Sequence, residues 1–167
     1  MFFLNGKGDV CFLEVRDDKT VSDPTTIKNG TFCGLHCLCN GTVLFYSKNE
    51  ICTYSLQPTP IIIGTTLINN HEIDKIIFMR EPRVFIVMTK NGRLVVCRHP
   101  SFSKADKKPE IEQMELFQYH KEPIKVGCCG EELSFMTVDE SGVCVLWENF
   151  PNWLDAPFTL GMFGESE

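Results

Sequence analysis

The sequence predicts an all-β chain assembled from degenerate copies of one short antiparallel unit. Three observations carry this expectation. Residues 126–137, followed by 141–147, read as two short apolar strands joined by a small polar turn. Residues 84–96 repeat the same order of apolar run, Thr, polar pair, Gly and apolar run, and residues 41–54 and 2–13 supply two further copies. The turn markers Gly8, Glu50, Gly92 and Gly142 are separated by steps of 42, 42 and 50 residues. A hairpin of this size cannot bury its apolar face alone, so the copies are expected to stack, side by side or radially, within one repeat domain. The expected units are residues 1–30, 31–72, 73–122 and 123–167.

The first unit opens with Phe2, Phe3 and Leu4, turns over residues 5–9 and continues through residues 10–15, so it is expected to lack its leading strand unless the chain's other end supplies it. Residues 16–29 read as a polar connection with a turn at Asp23-Pro24. Residues 43–46 and 51–56 form the next hairpin, turning at Asn49-Glu50, and the β-branched run 61–68 suits a buried strand. Residues 84–88 and 93–97 form the clearest hairpin. Its Asn91-Gly92 pair is a strong turn signal because both residues tolerate positive φ. Within the long connection 99–121, residues 110–117 alternate polar and apolar and predict an outer strand in preference to a short helix. Residues 123–126 start the last and fullest copy. Phe2 and Phe3 at one end, and Phe150, Trp153, Phe158 and Phe163 at the other, are candidates to cover exposed sheet ends.

A formal net charge of −6 argues against general affinity for nucleic acid or an anionic membrane. The acidity is uneven: residues 131–167 hold eight Asp or Glu and no Lys or Arg, while Lys104, Lys107 and Lys108 cluster in the long connection. Nine cysteines, an odd number with Cys128 and Cys129 adjacent, fit reduced thiols acting as small core hydrophobes. The start of the chain has no apolar run of signal-peptide length, and no stretch is long and apolar enough for a membrane helix. The expectation is a cytoplasmic or nuclear protein. Asn29-Gly30-Thr31 and Asn40-Gly41-Thr42 then read as turns rather than glycosylation sites.

Cys33, His36, Cys37 and Cys39 have the chemistry of zinc ligands, but no second separated Cys pair follows. On a strand, the three thiols share one face and His36 points to the other. Buried structural thiols are the expected reading, with no metal or cofactor. Asp74, Glu81, His71 and the thiols supply candidate acids, bases and nucleophiles for an enzyme, yet each is accounted for by a turn or core position. His36, His71, His99 and His120 lie in no nucleophile elbow or metal motif. A non-enzymatic chain is expected, with no catalytic, cofactor or metal residues.

The last copy resembles the regulator of chromosome condensation repeat. Val126, Cys129 and Gly130 match that family's apolar-Ala-Cys-Gly opening, residues 134–137 its inner strand, and Gly142, Val143 and Trp147 its close. The turn is one residue longer on this alignment, and Glu148 stands where Gly is usual. Phe85 to Thr89 and Asn91 to Leu94 match in the preceding copy, with Cys97 in place of the aromatic and Arg98 in place of the Gly. The resemblance implies a β-propeller of four-stranded antiparallel blades, seven in that family. This chain has material for three to four units, a partial propeller or an open array. A WD-type propeller is the fold alternative, disfavoured because no Gly-His is paired with a Trp-Asp close. The resemblance further implies a protein-protein interaction module. Its partner is another protein, further blades or a second copy, with small-GTPase regulation or chromatin binding as alternatives.

Overall fold

The computed structural model describes residues 1–38, 42–55, 61–68, 71–80, 84–98, 111–116, 118–130 and 134–148, with backbone alone at 61–63. The chain divides into two compact units, Met1–Asn69 and Asn70–Glu167. The described secondary structure is all β, in four sheets of three or four antiparallel strands, each sheet drawn from strands consecutive in sequence.

In the first unit, β1 (Phe2–Leu4), β2 (Val10–Phe12) and β3 (Thr25–Lys28) form a three-stranded sheet, so the polar connection contains a strand. Ahead of it, Lys19 takes a left-handed φ of 64° in a tight turn closed by Lys19 N–H to the Arg16 carbonyl. The second sheet joins β4 (Gly34–Cys37), β5 (Thr42–Tyr46), β6 (Glu50–Ser55) and β7 (Ile61–Leu67) in sequence order. Its hairpin turns over Lys48-Asn49, with Ser47 N–H bonded to the Glu50 carbonyl at 2.9 Å, one residue earlier than the sequence suggested. The β-branched run becomes the outer strand of this sheet; at its end Leu67 is 60% exposed while Ile68 is buried. Val10, Phe32, Val43, Phe45, Cys52 and Tyr54 form the core, with Phe2 and Leu4 packed against it. Burying such aliphatic and aromatic side chains stabilises by about 1.5–3 kcal/mol each.

In the second unit, β8 (Ile73–Phe78), β9 (Val84–Thr89), β10 (Leu94–Arg98) and β11 (Glu112–Glu115) form a four-stranded sheet. The alternating segment is thus an outer strand. β12 (Ile124–Cys129), β13 (Phe135–Asp139) and β14 (Cys144–Trp147) form a three-stranded one. Every residue of β9 and β10 is buried, including Arg98, whose guanidinium pairs with Glu112 across the sheet. One face of this sheet (Ile77, Ile86, Met88, Leu94, Val96) packs against Phe135 and Trp147 of the last sheet. Gly127 permits that approach, since a Cβ there collides with the Ile77 side chain.

Three hairpins share one turn. In residues 5–9, 89–93 and 139–143, the first N–H bonds to the last carbonyl, and the glycine N–H bonds back to the first carbonyl. Gly8, Gly92 and Gly142 take φ of 86°, 78° and 87° in the left-handed region that glycine occupies freely. The first side chain caps each turn: Asn5 Oδ1 accepts from Lys7 and Asp9 N–H, Thr89 Oγ1 from Arg93, and Asp139 Oδ1 from Ser141 and Val143. This is a three-residue loop in which only the glycine has positive φ, not the two-residue turn expected at Asn91-Gly92. It also corrects the alignment of the copies. Asp139, not Thr137, is the counterpart of Thr89, and the two turns have the same length.

Candidate functional site

Buried polar side chains join in a hydrogen-bonded chain at the base of the last hairpin. His120 precedes β12, Thr137 and Asp139 lie on the inner face of β13, and Trp147 ends β14 directly opposite Phe135. His120 Nε2 lies 2.7 Å from Thr137 Oγ1, and His120 Nδ1 lies 3.1 Å from Asp139 Oδ2. The Trp147 indole N–H donates to Thr137 Oγ1 at 2.8 Å. All four residues are buried. Donor counting orders the chain of bonds: indole N–H to Thr137 oxygen, Thr137 O–H to Nε2, Nδ1–H to the Asp139 carboxylate. No member is left unmatched, which is the condition for a buried polar network to stabilise a core.

Asp139 anchors the set. The Ser141 hydroxyl, 2.7 Å from Oδ1, together with His120 and the Val143 N–H, holds its carboxyl down to about 2. The Trp147 ring stacks on Phe135, centroids 5.4 Å apart and planes within 3°, and makes an edge-to-face contact with Tyr119 at 5.6 Å. The turn also grips the segment leading into β12, through Glu140 N–H to the Pro123 carbonyl at 3.0 Å. Lys90 N–H makes the same bond to the Glu72 carbonyl in the preceding sheet.

Hydroxyl, imidazole and carboxylate in this order have the connectivity of a nucleophile-base-orienter triad. Access decides against that use here. Thr137 is 0% exposed, and its oxygen already accepts the indole N–H. The network serves to fix the loop before β12 onto the hairpin.

Beside it, Arg93, Leu116, Tyr119, His120, Ile124 and Trp147 line a shallow hollow with room for about one water molecule. Small-molecule sites begin at about 300 Å³, so this hollow is a surface dimple and no cofactor pocket. Its rim carries charge and aromatic surface. Arg93 pairs with Glu115 at 3.2 Å, His71 bonds Asn91 at 3.1 Å, and Tyr119 is 59% exposed.

The other candidate residues do not assemble into a site. Cys33 and Cys37 are exposed, burial makes His36 less basic, and Cys39 lies outside the described residues. No group of three or more potential metal ligands occurs among the described residues. Asp74 is an exposed residue of β8, while Glu81, His99, Lys104, Lys107, Lys108, Phe150, Trp153, Phe158 and Phe163 lie outside the described residues. Thiols divide by position rather than forming one buried class: Cys11, Cys52 and Cys97 are buried, whereas Cys128, Cys129 and Cys144 are exposed. Burial pushes the Cys97 and Cys52 thiols up, although Lys28 Nζ sits 3.0 Å from the Cys52 sulfur and 2.6 Å from Glu50. No described helix is long and apolar enough to cross a membrane.

The sequence reading missed the pairing of His120 with Trp147. A WD-type unit runs from a Gly-His to a Trp-Asp. Tyr119-His120 and Trp147-Glu148 hold the His and the Trp with both neighbours substituted, so a search for intact dipeptides passes over them.

The four antiparallel sheets match a partial, propeller-like repeat fold. The chain is similar to a solved structure, the C-terminal WD40 domain of Sif2, with a TM-score of 0.58 and 10% sequence identity over 87% of this chain. It spans 44% of that chain, less than half its length. No protein-family model matches the sequence, and no curated protein sequence matches it.

Proposed function

We propose that this chain is a non-enzymatic protein-interaction module whose partner docks on the turn end of the second unit. The observation that carries this reading is the rim around the hollow. Exposed Tyr119 and partly exposed Arg93 flank this small surface hollow, beside backbone joined by the buried network. Tyr and Arg are the side chains that most often dominate protein interfaces, and rigid sheets with recognition at their loops are the usual way repeat scaffolds bind.

Two finer family readings remain. The His120 and Trp147 pairing and the fold likeness support a WD-type unit. Val126, Cys129, Gly130, Gly142 and Trp147 support a regulator of chromosome condensation-type unit. We favour the first, because its His and Trp are the residues the network joins. Regulation of a small GTPase or binding to chromatin rests on the resemblance alone, and a cytoplasmic or nuclear location on the reduced thiols.

The test is quantitative affinity capture with wild type and an Arg93→Ala/Tyr119→Ala double variant of unchanged circular dichroism. Proteins enriched by wild type are expected to drop at least tenfold with the variant. Identical capture profiles from the two baits overturn the assignment of this surface.

A further inference from the structure

The last sheet has two faces of very different character. Its inner face carries Phe135, Thr137 and Trp147 and is buried. Strand alternation and register place Val126, Cys128, Met136, Cys144 and Leu146 together on the other face. That face is apolar throughout yet open: Val126 is 51% exposed, Leu146 58%, and both thiols are exposed.

The preceding sheet shows what such a face is for. The shared turn equates Met136 with Ile86, Leu146 with Val96 and Cys144 with Leu94, through the register of each hairpin. Those counterparts are buried because the next sheet lies on them. The outer face of the last sheet therefore has the chemistry to receive one more sheet of the same kind.

The chain itself contains a sheet of that kind. By the same turn equivalence, Met1, Phe3 and Leu13 of the first sheet stand where Phe135, Thr137 and Trp147 stand in the last. They form a second apolar face, opposite the one that packs into the first unit's core through Phe2, Leu4 and Val10. Met1 is 65% exposed, and Phe3 and Leu13 are partly so. One molecule thus offers both halves of a sheet-on-sheet contact.

We propose that a second copy of this chain covers the outer face of β12–β14, seating its Met1, Phe3 and Leu13 against Met136, Cys144 and Leu146. The contact is head-to-tail, joining different surfaces of the two copies, and such contacts close into rings when the rotation allows. Two copies bring twice four sheets, at the upper end of the roughly four to eight blades of closed propellers. The fold match covers 44% of a WD40 domain, so two chain lengths approach one such domain.

Light scattering after size exclusion tests this on the full chain. The expected mass is twice 19.0 kDa, falling to the monomer for Leu146→Asp and, separately, for Phe3→Asp. Mixing the two variants is expected to restore part of the dimer, since each pair keeps one intact contact. Association through identical faces gives no such rescue and overturns the head-to-tail arrangement. Alkylation of Cys128 and Cys144 should be slow in wild type and several-fold faster in either variant. Near-UV circular dichroism of Trp147 identifies a variant that has unfolded, in which case Met136→Lys replaces Leu146→Asp. A wild-type monomer at every concentration overturns the proposal. A monomer whose Cys144 nonetheless resists alkylation assigns the cover to residues 149–167 and overturns it equally.

Discussion

The third and fourth sheets use the same backbone and hold it with opposite chemistry. In β8–β11, Phe85, Val87 and Cys97 occupy the positions taken in β12–β14 by Phe135, Thr137 and Trp147, and Thr89 takes the place of Asp139. The turns match bond for bond. The third sheet has four strands and buries every residue of its two central ones, so aliphatic packing suffices. The fourth has three strands and one open face, and there a satisfied polar network and a stacked Trp-Phe pair carry the load. A repeat can therefore keep its geometry while exchanging burial for hydrogen bonding, provided each buried polar group finds a partner.

The comparison predicts unequal costs at matched positions. Trp147→Ala removes the stacked ring and the indole bond together and should cost about 3–5 kcal/mol in denaturant unfolding. Cys97→Ala at the same position should cost about 1 kcal/mol, the ordinary cost of a point change. Equal losses at the two sites would show that the network adds nothing to the packing.

Thr137→Val tests the hub directly. It leaves His120 Nε2 and the Trp147 N–H unmatched in a buried site, for a loss of about 1–3 kcal/mol despite near-identical shape. The reciprocal change, Val87→Thr, buries a hydroxyl in an apolar environment and should cost a similar 1–3 kcal/mol. Each sheet is then intolerant of the other's solution. If Val87→Thr is neutral in urea melts, the aliphatic sheet has polar slack that the comparison denies it.

These two sheets also show what a sequence can and cannot disclose. The strands were legible because β-branched and aromatic runs separated by Gly turns leave a local pattern, as at Val84 to Leu94. The register of the last turn was not, because Thr137 and Asp139 both suit a turn and only the hydrogen bonds separate them. Nor was the network, since it joins His120 to Trp147 across strands and neither residue keeps the neighbour that marks its motif. Exposure of Cys128 and Cys144 was hidden as well. An apolar strand pattern identifies the two faces of a strand but says nothing of whether another sheet lies on each.

The smallest difference between the sheets is full at neutral pH and fades only in acid. The Asp139 carboxyl is held at about 2 in the folded chain, chiefly by the Ser141 hydroxyl, whereas an unfolded Asp titrates near 4. A depressed folded value means the ionised form is favoured by folding. Its contribution is complete above about pH 4 and is lost as pH falls through about 2. Thr89, the counterpart in the third sheet, carries no charge and contributes no such dependence. Asp139→Asn should therefore be less stable than wild type at neutral pH, and the gap should narrow between about pH 4 and pH 2. Thermal melts at a series of pH values read this gap. A gap that stays constant down to pH 2 would place the stabilising role in the side-chain shape of Asp139 and not in its charge.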